Sequence, residues 1–173
     1  NVRSNQRNIR RIMKLALSRD DTIIIFLCSG HARKEDLNEL AKEFPNLRWI
    51  GIDGPFAHDH ALQNFETTYS PLSYGGEKDI AQKRNFSLQL ARHMGWEMLL
   101  FLDDDIVISH YHLHKVQHLL RNKNVSVVGF NTRRFPDNSV AVQAHRWVHG
   151  LVDSFIGTGV MAIKVNTPFL SFF

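Results

Sequence analysis

The chain has 173 residues, of which 43% are hydrophobic and 22% charged, and its formal net charge is +4. This composition is ordinary for a globular domain, and no apolar run approaches the ~20 residues that a membrane-spanning helix needs. The single cysteine, Cys28, excludes an internal disulfide and favours a cytoplasmic location, with association at a membrane surface left open. The pI near 9.4 suits anionic ligands, but charge alone does not choose between nucleotide sugars, anionic lipids and nucleic acid.

Helical and strand-like hydrophobic patterns alternate along the chain. They predict helices around residues 9–16, 37–44, 79–95 and 113–120, and strands at 22–27, 47–52, 98–102 and 125–130. Residues 54–77 are rich in Gly, Pro, Ser and aromatic residues, which predicts a loop. Such alternation favours an α/β fold with a mostly parallel sheet flanked by helices. Because neither a repeat nor a linker divides the chain, residues 1–173 are predicted to form a single domain.

The acidic run Asp103–Asp105 is the most informative feature. It follows the apolar run Met98–Leu102, which predicts a buried strand that is apolar on both faces. Three like charges at a strand end repel one another, and a bound divalent cation relieves that repulsion. Carboxylate oxygens suit Mg²⁺ or Mn²⁺, and open α/β sheets bind ligands beyond the carboxyl ends of their strands. The run therefore predicts a metal–phosphate site, and the alternative is a solvated turn without metal.

A basic helix precedes this strand. The glycine-rich segment Gly75–Gly76 leads into a predicted helix whose early residues include Lys83, Arg84 and Asn85. A basic pair and an amide could hold a diphosphate and a base or ribose edge, because arginine binds oxygen pairs in bidentate geometry. The alternative is a solvated basic face.

Together these segments resemble the GT-A-fold glycosyltransferases, especially the large inverting family 2 that uses nucleoside-diphosphate sugars. The resemblance rests on the glycine-rich turn, the Lys-Arg-Asn helix, the Gly-Trp-Glu link and the acidic run within residues 75–108, and extends more weakly over 8–165. It implies a Rossmann-like GT-A fold. It also implies metal-dependent transfer of a sugar from a nucleoside-diphosphate donor to an acceptor hydroxyl, with inversion.

The resemblance also implies which residues bind. Asp103 and Asp105 would be the ligands of Mn²⁺ or Mg²⁺, with Asp105 the principal one. The residues implied to contact the nucleotide sugar are Lys83, Arg84, Asn85, Asp103 and Asp104. Those implied to face the acceptor or donor sugar are Gly157, Thr158 and Gly159, for which a plain strand-entry turn is the alternative. The implied partners are the donor and an acceptor that is a glycan, a lipid-linked sugar or a small molecule, with no nucleic acid.

The chain departs from the family pattern in three places. It opens on a helix, so a first strand is expected upstream of Asn1, as in a fragment of a longer chain. No Asp or Glu follows Asp153, so the catalytic general base is expected downstream of Phe173. The run Cys28–Gly30 replaces an acidic pair that the family often carries. Asp53 could serve the base or ribose instead, or could be a turn residue.

Other interpretations stay open. A nucleotidyltransferase would carry a glycine-rich basic loop before Asn1, and a non-catalytic nucleotide-sugar-binding module would keep the site without turnover. Three histidines recur at helical spacing, which favours a solvated helix face over a zinc site because no cysteine or metalloprotease glutamate accompanies them: His110, His114 and His118. His145 or His149 could be an additional metal ligand. Arg133–Arg134, at a predicted strand end before a turn, could hold an anionic acceptor or face water.

Overall fold

The computed structural model describes most of the chain: residues 2–54, 56, 78–122, 124–130, 132–133, 140–142, 145–148, 151–154 and 159–167. Contacts divide the chain into two compact units. The first contains Asn1–Leu90 and Val107–Ser109, and the second contains Ala91–Ile106 and His110–Phe169. Within the ranges described, none of the helices has the length and apolar character needed to cross a membrane.

Helices and strands are both present, so the α/β class is confirmed. The helices are α1 Val2–Leu17, α2 Lys34–Ala41, α3 Lys78–His93 and α4 His110–Arg121. The strands are β1 Ile24–Cys28, β2 Trp49–Asp53, β3 Met98–Leu102, β4 Val127–Gly129, β5 Thr132–Arg133, β6 Val140–Val142, β7 His145–Val148, β8 Leu151–Ser154 and β9 Val160–Lys164. Every helix and strand predicted from the hydrophobic pattern forms. The ends differ by up to three residues, except that α1 begins at Val2, seven residues before the predicted start.

The first unit is built on a parallel pair of strands. β1 lies beside β2 with Ile24 opposite Trp49 and Cys28 opposite Asp53, so both carboxyl ends lie at one edge. Apolar side chains from α1, α2 and the strands bury one another in a common core. Its buried members are Ile9, Met13, Ala16, Cys28, Leu37, Leu40, Ala41, Phe44 and Leu47.

Asp53 fixes the start of α2. Arg33 at the helix N-cap makes no side-chain capping hydrogen bond, and the backbone N–H of Lys34 donates instead to Asp53 Oδ1 at 2.8 Å. Close packing accompanies this contact, because a Cβ atom on Gly51 would lie 2.8 Å from Lys34 Cβ. Asp53 is therefore the last residue of β2 and a helix-capping carboxylate, a role that neither interpretation from the sequence contained.

The second unit contains a three-stranded sheet in which β9 lies between β3 and β4 and runs antiparallel to both. β3 and β4 consequently run in the same direction. Val160 to Ile163 are buried, as expected of a central strand, and α4 packs Val116 and Leu120 against Ala162. The chain enters β3 through a Schellman turn: Trp96 N–H donates to Ala91 C=O, and Gly95 adopts a positive φ of 68°.

The strands described do not show the mostly parallel sheet that the alternation favoured. Among the strands that the structure describes, only β1 and β2 pair in parallel. β9 is antiparallel to its neighbours, and β5–β6 and β7–β8 form antiparallel pairs. Beyond a strand end at Arg133–Arg134 and a strand-entry turn as the alternative at Gly157–Gly159, the hydrophobic pattern predicted no strand after residue 130. The strands β5 to β8 are only two to four residues long, too short for a hydrophobic period to be recognised.

We expect Asp53→Ala to lower the free energy of unfolding by about 1 kcal/mol, because it removes the acceptor that caps α2. Asp53→Asn keeps an amide oxygen in that place and should retain most of the stability. Urea unfolding of both variants measures the difference. Equal stability of Asp53→Ala and the wild type would show that the contact with Lys34 is dispensable.

The pair Arg10–Glu43 should make stability depend on acidity. Both carboxylate oxygens of Glu43 accept from Arg10, with the shortest contact at 2.8 Å. This hydrogen bond lowers the pKa of Glu43, against an opposing effect of desolvation. A lowered pKa means that the stabilisation is present above the ordinary glutamate pKa and is lost as pH falls through the lowered value.

Glu43→Gln should accordingly reduce the loss of stability on acidification, measured by urea unfolding at a series of acidic pH values. Glu39→Gln removes one negative charge from α2, where the exposed partner is Lys42, and is the control. An identical acid profile for Glu43→Gln and the wild type would contradict the assignment.

Candidate functional site

The acidic run forms a tight turn at the carboxyl end of β3. The strand ends at Leu102, Asp103 N–H donates to Gly159 C=O at 3.0 Å, and Ile106 N–H donates to Asp103 C=O at 3.1 Å. Asp103, Asp104 and Asp105 are all exposed. Because the chain turns after Leu102, strand alternation does not set the directions of these carboxylates. The turn itself presents them to solvent.

Gly159 lies directly against this turn. A Cβ atom at Gly159 would stand 3.2 Å from Asp103 Oδ2 and 3.7 Å from Ile106 Cδ1. The Asp103 carboxylate therefore lies close over Gly159, where a larger residue would crowd it. Val160, the next residue, begins β9, so the strand-entry interpretation is confirmed for Gly159. Gly157 and Thr158 lie outside the described residues.

The donor set suits a hard divalent cation. In the part of the chain that the structure describes, no three His, Cys, Asp or Glu side chains converge as a ready-made metal centre. Mg²⁺ in phosphate sites commonly takes only one or two carboxylates and completes its shell with water and substrate oxygens. Exposed carboxylates on a turn, one of them packed closely over Gly159, fit that kind of partial, all-oxygen site.

The early turns of α3 are not a solvated basic face. Arg84 and Asn85 are each only 8% exposed. Leu88 lies four residues after Arg84 and three after Asn85, so it shares their side of the helix, and it is only 2% exposed. The solvated-face interpretation is therefore wrong for Arg84 and Asn85, whereas Lys83 is half-buried.

Lys83 connects α3 to the carboxyl end of β1. Its Nζ donates to Ser29 Oγ at 2.5 Å and lies 5.9 Å from the ring centroid of Phe56. Ser29 is the first residue after β1, and Gly30 follows with a positive φ of 62°. Sequence reasoning treated Ser29 only as part of a missing acidic pair and did not single out Phe56. The available signal was the position of Ser29 at a strand end.

Cys28 is unsuited to act as a nucleophile. It is 4% exposed, and burial raises the pKa of its thiol. The negative charge of Asp53 raises this pKa further, while the Lys83 ammonium acts in the opposite direction. The thiol is therefore held protonated at neutral pH.

The histidines of α4 are exposed, in agreement with a solvated helix face: His110, His114 and His118. Arg134 and His149 lie outside the described residues. The structure gives the backbone of Arg133 and His145 in strands β5 and β7, and their side chains lie outside the description.

Comparison of the chain with protein-family models, with curated proteins and with solved structures finds no significant match in any of the three. Functional assignment consequently depends on the geometry of the acidic turn and of the Lys83 contacts, together with the motif resemblance in the sequence.

Proposed function

We propose that this chain binds the donor of a metal-dependent glycosyltransferase reaction, in which a sugar moves from a nucleoside diphosphate to an acceptor hydroxyl with inversion. A GT-A-like, mostly parallel sheet and a cytoplasmic location, with membrane-surface association left open, belong to the same proposal. The observation that carries it is the turn of exposed carboxylates at the end of β3, with Asp103 hydrogen-bonded to Gly159 through its backbone and packed closely over it.

The carboxylates would hold Mn²⁺ or Mg²⁺, with Asp103 and Asp105 as ligands and Asp104 toward the nucleotide sugar. When bound, such a cation acts as a Lewis acid that neutralises charge on the leaving diphosphate. Asp103 is also tied through its backbone to Gly159, so its side chain starts from a fixed point. A fixed carboxylate loses little conformational freedom when it binds, which favours affinity.

Lys83 would supply a positive charge for the phosphate groups of the nucleotide. Its ammonium is half-buried, beside an aromatic ring and a serine hydroxyl at the carboxyl ends of β1 and β2. Parallel strands present their ligand-binding edge at these ends. Ser29 would therefore join Lys83 in contacting phosphate or ribose oxygens. Arg84 and Asn85 would support this surface from the buried side of α3.

We expect Asp105→Ala to abolish Mn²⁺-dependent binding of uridine or guanosine diphosphate, whereas Asp104→Ala should weaken it less. Titration calorimetry of the protein, with and without Mn²⁺, makes the measurement. Gly159→Ala is a second probe, because its Cβ would stand 3.2 Å from Asp103 Oδ2 and would displace that carboxylate. Because Asp103 is exposed, this displacement should reduce Mn²⁺ affinity with little loss of stability.

Equal Mn²⁺-dependent binding by the wild type and Asp105→Ala would overturn the metal assignment. Binding of nucleoside triphosphates with release of pyrophosphate would instead identify a nucleotidyltransferase. Neither measurement requires knowledge of the acceptor, so the proposed binding of the donor is tested by itself.

Lys83→Met should weaken nucleoside-diphosphate binding by about 1.5–3 kcal/mol, the range for hydrogen bonds to charged groups. Ser29→Ala keeps the Lys83 ammonium and should therefore reduce the affinity for nucleoside diphosphate by less than Lys83→Met does. The melting temperature of each variant without ligand is the control for folding. Arg84→Ala is a poorer probe, because truncating a buried arginine should itself lower stability. Unchanged affinity in Lys83→Met would leave its contact with Ser29 as a structural one.

A further inference from the structure

Three rings form a contiguous group at the start of α4. The ring centroids of Tyr111 and His112 are 5.6 Å apart, and those of His112 and Phe130 are 5.9 Å apart, both with edge-to-face geometry. Phe130 packs against the core formed by Val116, Leu120 and Ala162, so one end of this aromatic cluster is anchored. Tyr111 at the other end is 68% exposed, far more than a tyrosine that fills a core.

The sheet topology places the anchor of this cluster at the same edge as the acidic turn. Phe101 of β3 and Gly129 of β4 both lie opposite Met161 of β9. The chain therefore leaves β3 toward Asp103 and leaves β4 toward Phe130 at one end of the sheet. Two inter-strand spacings separate these exits, about 10 Å, which is close to the dimension of one sugar ring with its hydroxyl groups.

Aromatic rings and carboxylates that share one end of a sheet suit one kind of ligand in particular. A pyranose has an apolar face of C–H bonds, which packs on an aromatic ring, and a rim of hydroxyl groups, which donate to carboxylate oxygens. Tyr111 and His112 are exposed aromatic residues, and Asp103–Asp105 are exposed carboxylates. A purely apolar partner would leave these carboxylates desolvated without hydrogen bonds, at a cost in free energy.

We propose that Tyr111, His112 and Phe130 form the binding surface for the sugar ring of a carbohydrate acceptor. This proposal rests on the glycosyltransferase function proposed above and names the acceptor class that the sequence left open. Tyr111 provides the stacking face, His112 holds the Tyr111 ring by its edge contact, and Phe130 anchors His112 to the core. The acceptor would thereby lie at the sheet edge that carries the acidic turn.

Saturation-transfer NMR with the methyl β-glycosides of glucose, galactose and N-acetylglucosamine tests this surface without knowledge of the natural acceptor. We expect at least one glycoside to receive saturation on the C–H protons of one ring face. Tyr111→Ala should abolish that signal, and Tyr111→Phe, which keeps the ring, should retain it. Because Tyr111 is exposed, neither variant should unfold the protein, and the melting temperature checks this.

Absence of a signal from all three glycosides with the wild type, or a signal that persists in Tyr111→Ala, would overturn the proposal. So would a signal from uridine or guanosine protons that disappears in Tyr111→Ala, because the cluster would then bind the nucleotide base. Mn²⁺-dependent nucleotide binding, measured by calorimetry on the same samples, reports the glycosyltransferase function separately. If the wild type binds a glycoside but shows no Mn²⁺-dependent nucleotide binding, the glycosyltransferase function is rejected and the carbohydrate site remains.

Discussion

The antiparallel insertion of β9 between β3 and β4 is the constraint on which the candidate metal site depends. It brings the start of β9 against the end of β3, so that Gly159 accepts a hydrogen bond from Asp103 although 56 positions separate them. The same insertion makes β3 and β4 point in one direction and gathers the acidic turn and Phe130 at one edge. β9 pairs with a neighbour on each side, so its register has to satisfy two ladders of hydrogen bonds at once.

The first unit uses its polar residues differently. The parallel pairing of β1 and β2 places Asp53 and Ser29 at the same edge. Asp53 caps a helix, whereas Ser29 accepts a hydrogen bond from the Lys83 ammonium. The difference arises from what packs above each strand end, α2 over Asp53 and α3 over Ser29. A carboxylate at a strand end is thus insufficient evidence for ligand binding, since a helix N-terminus satisfies it equally well.

The sequence predicted best those residues whose interactions are with near neighbours in the chain. The acidic run, the basic helix and the positive-φ Gly95 lie within local patterns, and their elements were predicted within a few residues. The burial of Arg84 and Asn85 was missed, because a single sequence does not show which face of a helix is covered by distant segments. The aromatic cluster was missed as well, since His112 meets Phe130 only after β4 has paired with β9.

The sequence by itself determined the α/β class, the positions of the helices and of the first four strands, and the carboxylates that end β3. These follow from hydrophobic periodicity and from turn residues, which act over a few positions of the chain. Only the tertiary structure decided that β9 is antiparallel, that Asp103 packs closely over Gly159, and that Lys83 reaches Ser29. Each of these features depends on contact between segments that are far apart in the chain. Which residues meet is decided by side chains of both segments, so neither segment alone predicts it.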